Sequence, residues 1–286
     1  KFITGTFFFF FKYKTIKQKV QIADSHIYLN TSYKGGFGNN WQVTTGLSYG
    51  YSKNKLGLDL DKLNNDENAS HLKFKLRKSI SQHVKLAFGT DYFITRFNED
   101  FTPNSGFGGT SGYNSSIAAA FAEGDILFTK NLAAKVGVRA SYNDLLDETA
   151  VAPRVSLAYK LNKTSQFSFA YGDFTQAPSV DFIKYSKMHQ FESEKASHYI
   201  LNFQYNNDRQ TFRAEAYYKD YSNLVKFNTT TPMFNSVYNN NGSGYAKGLD
   251  LFWRDGSSIK NLEYWISYSY IDTERDYRNF PKQVTP

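Results

Sequence analysis

The sequence predicts an all-β chain, an antiparallel transmembrane β-barrel fragment of roughly 13 meandering strands. Three observations carry this reading. Apolar and polar residues alternate with a period of two almost end to end. In RQTFRAEAYYKDYSNLVKF, Phe212, Ala214, Ala216 and Tyr218 fall on one face, and Arg213, Glu215, Tyr217 and Lys219 on the other. Aromatic residues make up 18% of the chain while the mean hydropathy is -0.54, the dilution that alternation produces. Short and long connections also alternate along the chain, a sorting that a soluble sandwich has no reason to show. No run of about 18 apolar residues occurs, which excludes a transmembrane helix but not barrel strands, whose hydropathy signal is weaker.

The elements follow in order. KFITGTFFFFFKYK at the N-terminus puts Lys1 before an apolar stretch but lacks a continuous apolar core followed by a small-residue cleavage site, so it reads as mature chain or fragment. Residues 7–11 are apolar on both faces, as in a fully buried strand or one packed inside a lumen. From Trp41, Val43, Thr45, Leu47, Tyr49 and Tyr51 oppose Gln42, Thr44, Gly46, Ser48 and Gly50. Leu72, Phe74 and Leu76 oppose Lys73, Lys75 and Arg77. After a tight link at 81–83, Val84, Leu86, Phe88, Tyr92 and Ile94 oppose Lys85, Gly89 and Asp91, completing a hairpin. Residues 118–122 show no face. Val136, Val138 and Ala140 then oppose Lys135, Arg139 and Ser141; Val155, Leu157 and Tyr159 oppose Arg154, Ser156 and Lys160. Phe167, Phe169 and Tyr171 oppose Gln166, Ser168 and Gly172, and Tyr199, Leu201, Phe203 and Tyr205 oppose His198, Asn202, Gln204 and Asn206. Leu262, Tyr264, Ile266, Tyr268 and Tyr270 oppose Glu263, Ser267 and Ser269.

Tight links rich in Asn, Gly, Ser or Lys fall near 35–40, 81–83, 129–131, 161–164, 206–209 and 257–261. Between them lie long polar segments near 53–68, 96–116, 143–151, 174–195 and 227–245, the expected extracellular loops opposite brief periplasmic turns. Arg or Lys on a lipid face near the midplane costs about 2–4 kcal/mol, so Lys73, Lys75 and Arg77 turn to the lumen, joined by Asp91, Arg139, Arg154, Arg213 and Glu215. Tyr49, Tyr51, Tyr159, Tyr171, Tyr205 and Tyr270 suit an interfacial girdle, ring buried and hydroxyl wet.

VAPRVSLAYKL at 151–161, FSFAYGDFTQAP at 167–178, FESEKASHYILNFQY at 191–205 and RAEAYYKDYSNLV together resemble the barrel of TonB-dependent outer-membrane receptors. YAKGLDLF at 245–252 and WISYSYIDTERDY at 265–277 extend the likeness. The resemblance rests on a Pro-Arg strand, a Tyr-Gly hairpin arm and a Glu before the next strand, here Glu194. An Ala-Glu-x-Tyr-Tyr type strand and a Lys-Gly-x-Glu type strand, here Lys247 to Asp250, follow. It implies a barrel of about 22 strands with a plugged lumen in the Gram-negative outer membrane. It further implies active uptake of a scarce ligand such as an iron chelate, a cobalamin or a glycan, energised through TonB. The partners so implied are outer-membrane lipid, a plug domain, TonB and a small-molecule ligand. Residues 1–286 read as a barrel-domain fragment with neither plug nor signal peptide.

The remaining chemistry is sparse. With no cysteine there is no disulfide, thiolate metal site or cysteine nucleophile. His189 and His198, or His26 with Asp24, lack compact ligand spacing. Ser193 and His198 offer no nucleophile elbow, and SGFGGTSG at 105–112 lacks the lysine and helix of a phosphate cradle, so it reads as flexible loop. The chain reads as no enzyme and calls for no cofactor. A net charge of +8 and pI near 9.2 admit a nucleic-acid binder. On single-strand-binding sheets, however, rings share the basic face, and here they oppose it, so nucleic acid is not an expected partner. Phe107, Tyr113, Tyr185, His189, Phe234 and Tyr238, aromatic groups in polar loops, are the candidate ligand contacts. A passive porin or a soluble β-rich adhesin are the competing readings.

Overall fold

The computed structural model describes residues 20–185 and 191–276; the stretch 7–11 and His189 lie outside them. Twelve strands follow in order: β1 (Val20–Phe37), β2 (Trp41–Leu58), β3 (Asp61–Ser79), β4 (Val84–Thr102), β5 (Gly109–Leu127), β6 (Leu132–Asn143), β7 (Glu148–Lys160), β8 (Ser165–Gln176), β9 (Glu194–Asn207), β10 (Gln210–Phe227), β11 (Tyr238–Asp255) and β12 (Tyr264–Arg275). One short helix, α1 (Val180–Ile183), lies between β8 and β9. Every strand pairs antiparallel with its sequence neighbours in one meandering sheet. Among the described residues β12 does not return to β1, so the sheet is an open barrel wall.

The alternation seen in the sequence becomes two faces. Pairing sets Leu157 beside Phe169, Phe169 beside Leu201, Leu201 beside Ala216 and Ala216 beside Leu249 on the outer face. Among the described residues nothing covers them. Leu72 is 51%, Phe74 42% and Tyr218 42% exposed, and there is a single sheet among the described residues, so the apolar rings are not the core of a sandwich. Above this band tyrosines form a row: Tyr171 lies 5.0 Å from Tyr199, Tyr199 6.3 Å from Tyr218, and Tyr218 6.3 Å from Tyr245. Charge meets this row directly: Tyr171 donates to Asp173, the next outward position, at 2.8 Å, and Lys247, level with Tyr218, pairs with Asp272 at 3.1 Å. Rings that give way to charge within two residues mark a water boundary.

Turn geometry explains the short connections. Asn40, Asp59, Asp147, Asp208, Asn223 and Asn261 have φ between 40° and 64°, and all are Asn or Asp, the non-glycine residues that tolerate the left-handed region best. Asn223 sits where the β10–β11 register slips between Tyr221 and Leu224.

The long connections differ from the sequence expectation. Residues 53–68 and 96–116 are mostly strand: β2 runs to Leu58 and β3 resumes at Asp61, while β4 runs to Thr102 and β5 starts at Gly109. Cross-strand pairing satisfies backbone groups in water as well as in lipid, so polar composition alone does not end a strand. SGFGGTSG is correspondingly half loop and half β5. A Cβ on Gly112 would fall 2.4 Å from the Phe97 carbonyl oxygen, a close approach that requires glycine. Residues 118–122, which show no face in sequence, form the middle of β5, where small alanines sit opposite Tyr92 and Phe88. Gly248, from the Lys-Gly motif, makes room for the Tyr217 ring; a Cβ there would meet its hydroxyl at 2.4 Å.

On the inner face the best-buried groups gather toward the long-loop end: Phe97 and Glu99 on β4, Glu194 on β9, and Val225 and Phe227 on β10. Glu194 accepts from the Gln176 amide at 3.0 Å, the buried Val225 N–H at 3.1 Å and Arg275 at 3.2 Å, tying four strands together. Glu194→Gln keeps an acceptor for Val225 and is expected to cost about 1 kcal/mol, against about 2 kcal/mol for Glu194→Ala, which strands a buried donor. Urea unfolding of the two variants in lipid checks the ranking.

Candidate functional site

Two regions collect the candidate side chains: the inner wall and the long-loop end. On the wall, Lys73, Lys75, Arg77, Asp91, Arg139, Arg154, Arg213 and Glu215 share the polar face, because the register steps from strand to strand without changing parity. Arg139 Nη1 donates to Asp91 Oδ2 at 2.6 Å, reaching over β5, and His71 Nε2 lies 3.0 Å from the other oxygen. Arg77 donates to Asp125 at 2.6 Å, Lys135 lies 3.1 Å from the same carboxylate, and Lys75 is 3.4 Å from Glu123. Glu215 accepts from Asn202 at 3.2 Å. The structure thus pairs part of the wall charge internally: Lys73 stands opposite Asp91 across β3 and β4, while Arg154 and Arg213 make no ion pair with a carboxylate among the described residues. Asp125 and Glu123, partners the sequence reading did not single out, sit on β5 just beyond the faceless alanine stretch.

A recess of about 430 Å³ opens on this face, lined by Lys73, Lys75, Asp91, Arg139, Arg154 and His198 among others. The Arg154 guanidinium lies 4.5 Å over the Phe174 ring, which packs 4.6 Å from the His198 ring. His198 therefore belongs to an aromatic stack. Ser193 is buried elsewhere, its N–H donating to Glu148 at 2.6 Å, and the two do not form a nucleophile pair.

At the long-loop end, Tyr185 meets Phe234 edge to face at 4.8 Å, and Tyr238 packs against Phe182 at 6.2 Å, Phe191 at 5.8 Å and Phe227 at 6.5 Å. Three of the six aromatic candidates, Tyr185, Phe234 and Tyr238, come together here. Phe107 stands apart, fully exposed at the β4–β5 tip, and Tyr113 lies on β5 stacked on Phe97 at 5.8 Å. Phe182, Phe191 and Phe227 complete the cluster and were not legible as part of it. The β8–β9 and β10–β11 loops meet only because β9 and β10 pair, a long-range fact that no local spacing carries.

Lys184, just after α1, reaches Glu99 of β4 at 3.0 Å and Asp181 at 3.1 Å, with the Lys184 and Glu99 side chains only 10% and 8% exposed. Burial pulls Lys184 down, yet the hydrogen bonds to Glu99 and Asp181 outweigh it and hold its ammonium above the ordinary lysine value. The loop is thereby fastened to a strand four places away in the sheet.

A single antiparallel wall with rings outward, charge inward and alternating short turns and long extensions defines an outer-membrane barrel. The chain belongs to the TonB dependent receptor-like, beta-barrel family, whose profile matches residues 6–285, and the Gram-negative outer membrane is its location. Solved structures share the fold at low identity. The alcaligin outer-membrane receptor FauA of Bordetella pertussis is 14% identical with a TM-score of 0.70, over 90% of this chain and 47% of its own. The ferric yersiniabactin uptake receptor FyuA of Yersinia pestis is 14% identical with a TM-score of 0.73, over 89% and 43%. The pyoverdine receptor FpvA of Pseudomonas aeruginosa PAO1, bound to pyoverdine, is 13% identical with a TM-score of 0.69, over 90% and 45%. The chain spans a little under half the length of these structures. No curated protein matches it.

Proposed function

We propose that this chain supplies barrel wall and outer loops to a receptor that takes up a scarce ligand, an iron chelate in the first place, with energy coupled through TonB to a plug in the lumen. The observation that carries the reading is the aromatic cluster of Tyr185, Phe234, Tyr238 and Phe182, set at the long-loop end of a wall whose inner face is lined with charge. Rings held by packing, some of them exposed, offer stacking surface to a chelate or sugar at low entropic cost. Phe234 is 67% exposed while it rests on Tyr185, which suits direct contact. Family membership and the iron-chelate receptors among its structural neighbours support the choice of ligand class.

The test is uptake of a panel of labelled ferric chelates, cobalamin and glycans by cells expressing the full receptor, with and without TonB. One ligand is expected to accumulate only when TonB is present, and Phe234→Ala should weaken its binding about tenfold, one ring contact's worth. Steady ion conduction by the receptor in a planar bilayer, with no TonB-dependent uptake, would establish a passive porin instead.

A further inference from the structure

The short-turn end of the wall repeats one structure three times. In the β3–β4, β5–β6 and β7–β8 turns the N–H groups of Ile80, Phe128 and Leu161 donate to the carbonyls of Val84, Leu132 and Ser165, four residues on. The next residue caps each turn. Ser81 Oγ accepts from the His83 and Val84 N–H groups, each at 3.1 Å, Thr129 Oγ1 from Asn131 and Leu132 at 3.2 and 3.0 Å, and Asn162 Oδ1 from Thr164 and Ser165 at 2.9 and 2.8 Å. This shared build fixes where the side chains go. Ile80, Phe128 and Leu161 continue the lipid-facing rows of β3, β5 and β7, two residues beyond Lys78, Ile126 and Tyr159, and are 53%, 57% and 48% exposed. The third turn position holds Gln82, Lys130 or Lys163. No carboxylate occurs in 79–84, 128–132 or 161–165, and Lys130 and Lys163 are exposed and make no ion pair among the described residues.

Lys78 sets the depth of these turns. It is a half-buried cation in the lipid-facing row of β3, opposite Trp41, with its ammonium 4.9 Å over the Trp41 ring. A lysine is tolerated on such a row where its stem lies on apolar surface and its ammonium reaches the headgroups. Ile80 nevertheless follows it outward by two residues, about 7 Å along the strand. An exposed apolar side chain beyond the cation places the turn itself in the headgroup layer. We propose that these three turns bind anionic phospholipid of the periplasmic leaflet, with Ile80, Phe128 and Leu161 entering the layer below the headgroups and Lys78, Lys130 and Lys163 taking the phosphates. Positive turns without a carboxylate select a negative surface. The apolar residues, continuous with the lipid-facing rows, select lipid over an acidic periplasmic protein, for which the cations alone would suffice. Successive hairpin turns are two strand spacings apart, about 10 Å, so Lys130 and Lys163 hold separate headgroups. The site needs only the barrel in its membrane, whichever ligand the receptor carries.

The experiment folds the intact receptor into vesicles of equal parts phosphatidylglycerol and phosphatidylcholine, extracts it in mild detergent and counts the retained lipids by native mass spectrometry. Phosphatidylglycerol should be retained in preference, and the preference should fall about fivefold for each of Lys130→Gln and Lys163→Gln, the effect of one lysine near an anionic surface. Lys130→Arg and Lys163→Arg should keep it, as should Lys55→Gln, at the far end of β2. Phe128→Ser combined with Leu161→Ser should lower it with both lysines intact, because the turns then leave the headgroup layer. Heat-modifiable migration in gels confirms that each variant folds. Unchanged preference in both lysine-to-glutamine variants, or an equal fall in Lys55→Gln, overturns the site. Displacement of the retained lipid by glycerol phosphate, a headgroup without chains, overturns it in favour of a free anion.

Discussion

Phe169→Arg is expected to cost about 2–4 kcal/mol of folding free energy in a bilayer, whereas Ser168→Arg, one residue away, is expected to change stability by less than about 1 kcal/mol. The two positions share a strand, a depth and a backbone environment, and differ only in the face they serve. Phe169 lies between Leu157 and Leu201 on the outer face, midway between Phe167 and Tyr171, and Tyr171 already touches the water boundary through Asp173. A guanidinium there must be placed in hydrocarbon or reach past its neighbours to the interface. Ser168 lies between Ala158 and Asn202 on the inner face, on the row that leads to Glu215, where small neighbours leave room and a carboxylate is near. Urea titration of each variant folded into vesicles measures both. Equal losses at the two positions would mean that the faces are not lipid and lumen, and the membrane assignment of the wall would fall.

Much of this could be read from the sequence because a strand writes its two faces in consecutive residues. Leu72, Phe74 and Leu76 against Lys73, Lys75 and Arg77 is a local statement, and pairing preserves it across the sheet. The parity of short and long connections survives only in part: the β8–β9 and β10–β11 connections are long, whereas β2 and β3 are joined through 59–60 and β6 and β7 through 144–147, no longer than the turns at the other end, because the polar segments there are paired strand. The polar residues at 53–58 and 61–68 read as loop in the sequence because they offer no continuous apolar face, yet backbone pairing alone is sufficient to carry β2 and β3 through them. The alanine run on β5 hid its face since alanine is at home on either side; what orders it is the size of Phe88 and Tyr92 opposite, on another strand. The long-loop end was legible only in part for the same reason. Tyr185, Phe234 and Tyr238 are visible as aromatics in polar surroundings, but their meeting with Phe182 and Phe191 depends on which hairpins lie side by side.

The fastening of the β8–β9 loop is the least local feature of all, and its removal is expected to have the largest effect at the long-loop end. Lys184→Met leaves Glu99, 8% exposed, without the cation that lies 3.0 Å away, while the Ser111 hydroxyl at 3.5 Å is too distant to replace it. Breaking a buried pair from one side costs about 3–5 kcal/mol, because the remaining charge must be rehydrated or protonated. Here rehydration has an easy route, since lifting the segment around α1 exposes Glu99 to water. The loss should therefore appear as local opening, faster amide exchange and protease cleavage between β8 and β9, while the membrane-spanning strands keep their protection. Replacing both partners, Lys184→Met with Glu99→Met, removes the orphaned charge and should recover most of the protection. The pH dependence has a definite sign. A lysine whose folded-state value is raised contributes its stability in full below the ordinary lysine value and loses it only as pH climbs through the higher folded one. As far as Lys184 is concerned, loop exchange should thus be insensitive to pH around neutrality, and its share of the protection should fall away only in strongly alkaline solution. A Lys184→Met loop that exchanges no faster than the parent at neutral pH would show that the aromatic cluster alone holds it, and that the ion pair adds nothing to the closed arrangement.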